Sequence, residues 1–172
     1  ATQLTDADIR ALATAWSQLP GARPVAGQGP AQAAIRSRMV FPAAFPEGFT
    51  LYETTDASAD GSFVRRYANE VALRSLREGQ ALANGTTIVV ANLAGTRDVT
   101  SYAAMELRAG RGAELPALLR NGDWDYALFD ADRVRRDTLN QAPCLACHKP
   151  LAADSFVFTI KALRERALQR TP

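Results

Sequence analysis

The sequence is poor in several residue types, and each shortage excludes something. One histidine and two cysteines are present in 172 residues, and all three fall within positions 144–148. A structural zinc site built from Cys and His therefore lacks its fourth ligand, because no further Cys or His remains to supply it. Only two methionines, Met39 and Met105, and two lysines, Lys149 and Lys161, occur; every other basic residue is arginine. No apolar run approaches the roughly 20 residues of a membrane-spanning helix. Charge of neither sign is blocked: 20 basic residues face 18 acidic ones for a net +2, which argues against a phosphate-binding surface and a nucleic-acid partner. What is abundant is ordinary apolar material, 47% of the chain, enough for one domain with a real core. The chain opens Ala-Thr-Gln without Met, as an exported protein does after leader cleavage, so a periplasmic location is the expectation.

Along the chain, Leu4, Ile9, Leu12, Ala13, Trp16 and Leu19 form a helical stripe over residues 4–19 that stops at Pro20-Gly21. Residues 20–30 are a Gly/Pro connector, and a short helix is expected near 31–38. From Phe41 onward, short apolar runs separated by turn residues indicate an antiparallel sheet. Strands are expected near 49–55, 62–68, 86–94, 100–108 and 123–130, with Asn69 capping a short helix through Arg77 that Gly79 ends, and Asn84-Gly85 turning into the third strand. Short helices are expected at 114–120 and 131–140, and an arginine-rich amphipathic helix at 159–170. The expected fold class is α+β: a predominantly antiparallel β-sheet with a few short helices, an N-terminal helix and a C-terminal attachment segment. Residues 1–40 would be the N-terminal helix and connector, and 41–172 the main domain.

That attachment segment is Cys144-Leu145-Ala146-Cys147-His148, a C-x-x-C-H sequence. Two thiols three positions apart on a helical turn can reach both vinyl groups of a haem, while the next residue projects its imidazole beneath the iron. Rival readings are weaker. A thioredoxin-like C-x-x-C belongs near the start of a βαβ pattern, not after antiparallel strands, and a disulfide here would close only a tiny loop. The cofactor expected is one covalent haem c per chain, with Cys144 and Cys147 as thioether anchors and His148 as metal ligand.

The sixth coordination position bears on function. Met105 lies in the alternating stretch Tyr102-Ala103-Ala104-Met105-Glu106-Leu107, where one face of a strand is the plainer reading than a ligand, and Met39 beside Val40-Phe41 reads as packing. A small monohaem carrier is mostly helical with C-x-x-C-H near its N-terminus, and this chain reverses both features. A five-coordinate or weakly six-coordinate iron, with an open distal side able to take a small ligand, is expected.

A β-rich chain with C-x-x-C-H near its C-terminus, followed by Asp154-Ser155-Phe156-Val157-Phe158-Thr159, resembles the cytochrome P-460 family, which includes the cytochromes c′-beta. The resemblance extends through Pro46-Glu47-Gly48-Phe49, the stretch Phe63 to Val90, Tyr102 to Glu106 and Trp124, and covers roughly residues 41–160. It implies an antiparallel sheet with few helices, a homodimer, His148 as proximal ligand and an aromatic-lined distal pocket. Enzymatic members oxidise hydroxylamine and carry a lysine, on the helix after the second strand, bonded to the haem edge. Here that stretch is Leu73-Arg74-Ser75-Leu76-Arg77-Glu78-Gly79, without lysine. The resemblance is thus nearer the c′-beta type, whose members resemble binders of nitric oxide and carbon monoxide.

Several other residues are candidates for the pocket. Asp125 could act as a distal carboxylate that relays protons, although Asp123 and Asp125 share a face that could be wet; Ala127 and Phe129 on that face favour the interior. Arg65, on a face with Phe63 and Tyr67, could pair with a haem propionate, or be a solvated charge; Val64 and Arg66 share the other face. Phe63, with Phe41, Phe45 and Phe49, is a candidate aromatic cap, although strand aromatics are more often core. Phe156-Val157-Phe158 is expected to be strand-like and to pack on the proximal side. Three functions follow: capture or sensing of small gaseous ligands; oxidoreduction of hydroxylamine, nitric oxide or peroxide; and electron transfer with a redox partner protein.

Overall fold

A computed structural model describes residues 35–95 and 98–169. The chain divides into two units, residues 1–33 and 34–172, and every described residue belongs to the second. The expected helix over residues 4–19 and its connector lie outside the described residues. Of the short helix expected near 31–38, the described part is a turn and irregular chain.

Five strands form one antiparallel meander in chain order: β1 (Phe49–Thr54), β2 (Phe63–Asn69), β3 (Thr87–Ala94), β4 (Asp98–Leu107) and β5 (Trp124–Asp130). The α+β expectation holds: a predominantly antiparallel sheet with short helices. Central β3 is apolar at almost every position because both of its faces are covered. Ile88 joins one core with Met105 and Tyr126, whereas Val89, Ala91 and Leu93 join a second core on the opposite face. Tyr102, Ala127 and Phe129 complete that second core beneath Met39 and Phe45, and Phe41 closes on it edge-on to Tyr102 and Phe129.

Helix α1 (Glu70–Arg77) follows β2 at once because Asn69 caps it, accepting from Ala72 N. The same carboxamide accepts from Thr87 N and donates to Gly85 O, so one side chain joins a helix start to the entry of β3. Gly79 adopts the left-handed conformation (φ 70°) just beyond the helix. Asn69→Ala is expected to lose the cap and two further bonds, lowering unfolding free energy by about 2 kcal/mol in urea titration.

The helix expected over 114–120 is divided. Helix α2 (Arg111–Glu114) stops and a single 3-10 turn (Ala117–Leu119) follows, because Pro116 drives Leu115 to extended backbone. No helix forms over 131–140. β5 is an edge strand, and this segment runs along it instead: Asp130 N bonds Val134 O, Arg136 N bonds Leu128 O, and Phe129 bridges Arg135. Pairing of that open edge outweighs helix propensity here. Residues 156–158 are not a strand, since Ser155 and Phe156 both have positive φ. Helix α3 (Ala142–His148), a 3-10 stretch (Lys149–Asp154) and α4 (Ile160–Leu168) finish the described chain, with α4 packed on α1 and β1.

Candidate functional site

The C-x-x-C-H segment is the C-terminal part of α3, started by Pro143 in its first turn. Buried Leu145 points the helix into the core, and Asn121 Nδ2 donates to Leu145 O at 2.8 Å. Gln141 fixes the helix entrance. Its Oε1 accepts from Tyr126 N on the outer edge of β5, its Nε2 donates to Asp125 Oδ1, and its carbonyl accepts from Leu145 N. Trp124 Nε1 donates to Ser155 O, tying β5 to the chain beyond the histidine.

An open cleft of about 340 Å3 lies between α3 and the sheet. Cys144, Cys147 and His148 line it from α3; Ile88, Val90, Ala103, Met105, Tyr126 and Leu128 line it from β3, β4 and β5. The sheet residues are cross-strand neighbours: Val90, Ala103 and Leu128 form one row, and Ile88, Met105 and Tyr126 the next. Both cysteines are free thiols, and burial pushes the Cys144 thiol up. Burial also pushes the Tyr126 hydroxyl well above its ordinary range, so it stays protonated.

His148 is held in one tautomer and one orientation. Its Nδ1 lies 2.7 Å from Phe156 O. A carbonyl only accepts, so Nδ1 carries the proton and Nε2 keeps its lone pair. Desolvation lowers the imidazole pKa and the Phe156 bond opposes it; the balance favours the neutral, coordinating form. Tyr126 and Phe158 each pack with ring centroids 4.8 Å from His148 and fix the plane of the imidazole. The positive φ of Ser155 and Phe156 turns the chain so that the Phe156 carbonyl faces back to His148.

The structure brings together some of the expected site residues and separates others. Cys144, Cys147, His148 and Met105 share the cleft. Phe63 and Arg65 do not line it: Phe63 packs against the core on the opposite sheet face, with Arg65 stacked over its ring at 5.4 Å. Phe41, Phe45 and Phe49 belong to that same opposite face. Asp125 is fully buried and does not line the cleft; Oδ1 accepts from Arg111 Nε and Gln141 Nε2, and Oδ2 from Arg38 N. The face parity of β5 is the reason, since Trp124, Tyr126 and Leu128 take the cleft side and Asp125 the other. Met39 is buried on the far face as well. Val90, Ala103, Leu128 and Tyr126 carry no chemical signal in the sequence; only Ala103 lies two positions from Met105 on one strand, and the others come into phase with it through the cross-strand register.

An apolar slot edged by two free thiols and a neutral imidazole with a free Nε2 fits a flat, hydrophobic, metal-bearing macrocycle, and these features define a haem protein. A family model described as Cytochrome P460 matches residues 42–159, and the chain belongs to that family. A search of curated proteins found no match.

Proposed function

We propose that this chain is a monohaem c-type cytochrome of the c′-beta kind, whose haem is held by Cys144 and Cys147, ligated by His148, and open to small gaseous ligands such as nitric oxide and carbon monoxide. One observation carries the reading: the cleft that holds both thiols and the histidine has no charged side chain and no lysine among its described lining residues. When bound, the haem would supply an iron able to take a neutral diatomic ligand. The chain's own contribution is to hold His148 neutral, to fix its ring, and to surround the reacting side with Val90, Ala103 and Leu128, which offer nothing for water or anions to bond. The stretch Leu73–Gly79 supplies no lysine for a haem cross-link, and Leu73 and Leu76 pack into the core. This favours ligand capture over hydroxylamine oxidation. Dimerisation is proposed on the family resemblance.

A second reading has an observation of its own. Met105 lines the same cleft as His148, so a thioether sulfur is available as sixth ligand for an electron carrier. The ferrous optical spectrum separates the two. A five-coordinate haem c spectrum whose Soret band shifts on addition of carbon monoxide or nitric oxide supports gas binding. A low-spin spectrum indifferent to carbon monoxide, converted by Met105→Ala to a responsive one, would replace it with electron transfer. A strongly red-shifted Soret band would indicate a cross-linked haem and revive the hydroxylamine-oxidising enzyme.

A further inference from the structure

The cleft-side face of the sheet carries one cation among the described residues, Arg66. The register places it in line with the cleft floor: Arg66 is opposite Val90, Val90 opposite Ala103, and Ala103 opposite Leu128. The Arg66 side chain is half-buried, 24% exposed, beside the 31% exposed side chain of its cross-strand neighbour Glu53. Nη1 donates to Glu53 Oε2 at 2.7 Å. Nε and Nη2 have no partner among the described residues. Arg66 also lies beside the wall that holds the histidine. Tyr52, whose hydroxyl bonds Thr159 at 2.8 Å, is close enough to feel the Arg66 charge, and Thr159 adjoins Phe158, the residue stacked on His148.

A half-buried ion pair contributes little net stability, so folding alone gives weak reason for an arginine in this row. A haem gives a strong one. Its vinyl groups sit on one edge and its two anionic propionates on the other, and a haem anchored at Cys144 and Cys147 would have its vinyl edge at α3, which Gln141 ties to β5. From there the floor runs β5, β4, β3, each step about 5 Å, and the next strand is β2 with Arg66. The other arginines near the site are badly placed. Arg65 is on the opposite face, and Arg36, Arg135 and Arg136 line a groove beside Cys144, the vinyl side.

We propose that Arg66 is the propionate-binding residue: Glu53 holds Nη1, and the Nε and Nη2 donors take a haem carboxylate. This rests on the haem c reading. The test uses the full haem-loaded chain, with the thioether haem first verified by its pyridine haemochrome spectrum. Removing a cation from the propionates stabilises the ferric state, so Arg66→Gln should lower the midpoint potential and move the propionate-bending band in resonance Raman. Arg65→Gln should change neither. Should Arg66→Gln fail to fold, Arg66→Lys keeps the charge but not the forked donors, and its propionate band must still move. An unmoved band and potential in these Arg66 variants would overturn the assignment while leaving the haem reading intact. A wild-type protein without thioether haem would overturn both, and the haemochrome spectrum tells that failure apart.

Discussion

Asp125→Ala is expected to lower the unfolding free energy by about 3–5 kcal/mol, a large share of the roughly 5–15 kcal/mol available to a domain. The carboxylate is 0% exposed and accepts from Arg111 Nε at 3.1 Å, Gln141 Nε2 at 2.7 Å and Arg38 N at 2.8 Å. Its loss takes from the buried Arg111 guanidinium the fully buried carboxylate to which its Nε donates. It also frees Gln141, which fixes the start of the helix bearing both cysteines. Urea unfolding measures the effect directly. A loss below about 1 kcal/mol would mean that the network contributes no more than an exposed pair. A stable variant with altered ligand kinetics would restore Asp125 to the role of proton relay.

His148→Ala should abolish proximal ligation while leaving both thiol anchors in place. The wild-type ferrous spectrum should be lost and should return, in part, when imidazole is added to the solution, because the cavity left between Tyr126 and Phe158 admits the free ring. A spectrum unchanged by the substitution would show that another group ligates the iron. Met105, on the same cleft, would then be the first residue to replace.

Much of the fold was legible because the decisive signals are local. The Asn69 cap, the glycine at position 79 and the alternation of β3 and β4 are properties of a few neighbouring residues each, and the strands began and ended within two residues of expectation. Residues 131–140 misled because their helix propensity competes with the open edge of β5, a partner that exists only once the sheet has formed. The C-x-x-C-H segment was legible because its three chemical residues are adjacent. Its surroundings were not, because they depend on which strand face meets α3. Alternation shows that Asp125 and Tyr126 point oppositely but not which faces the histidine, and side-chain chemistry alone favours the carboxylate over the tyrosine. The same ambiguity made Arg65 the candidate cation, whereas its neighbour Arg66 occupies the cleft side. The Phe156 carbonyl that sets the His148 tautomer depends on two positive φ angles at non-glycine residues, which no propensity indicates.

The most direct measurement is acid–acetone extraction of the purified protein followed by a pyridine haemochrome spectrum of the polypeptide fraction, for the wild type and for the double variant Cys144→Ala, Cys147→Ala. Haem that stays with the wild-type chain, shows the spectrum of two thioether links and is lost from the double variant is the expected result. Haem extracted into solvent from the wild type, or none present, would show that these cysteines and His148 do not form a haem c site.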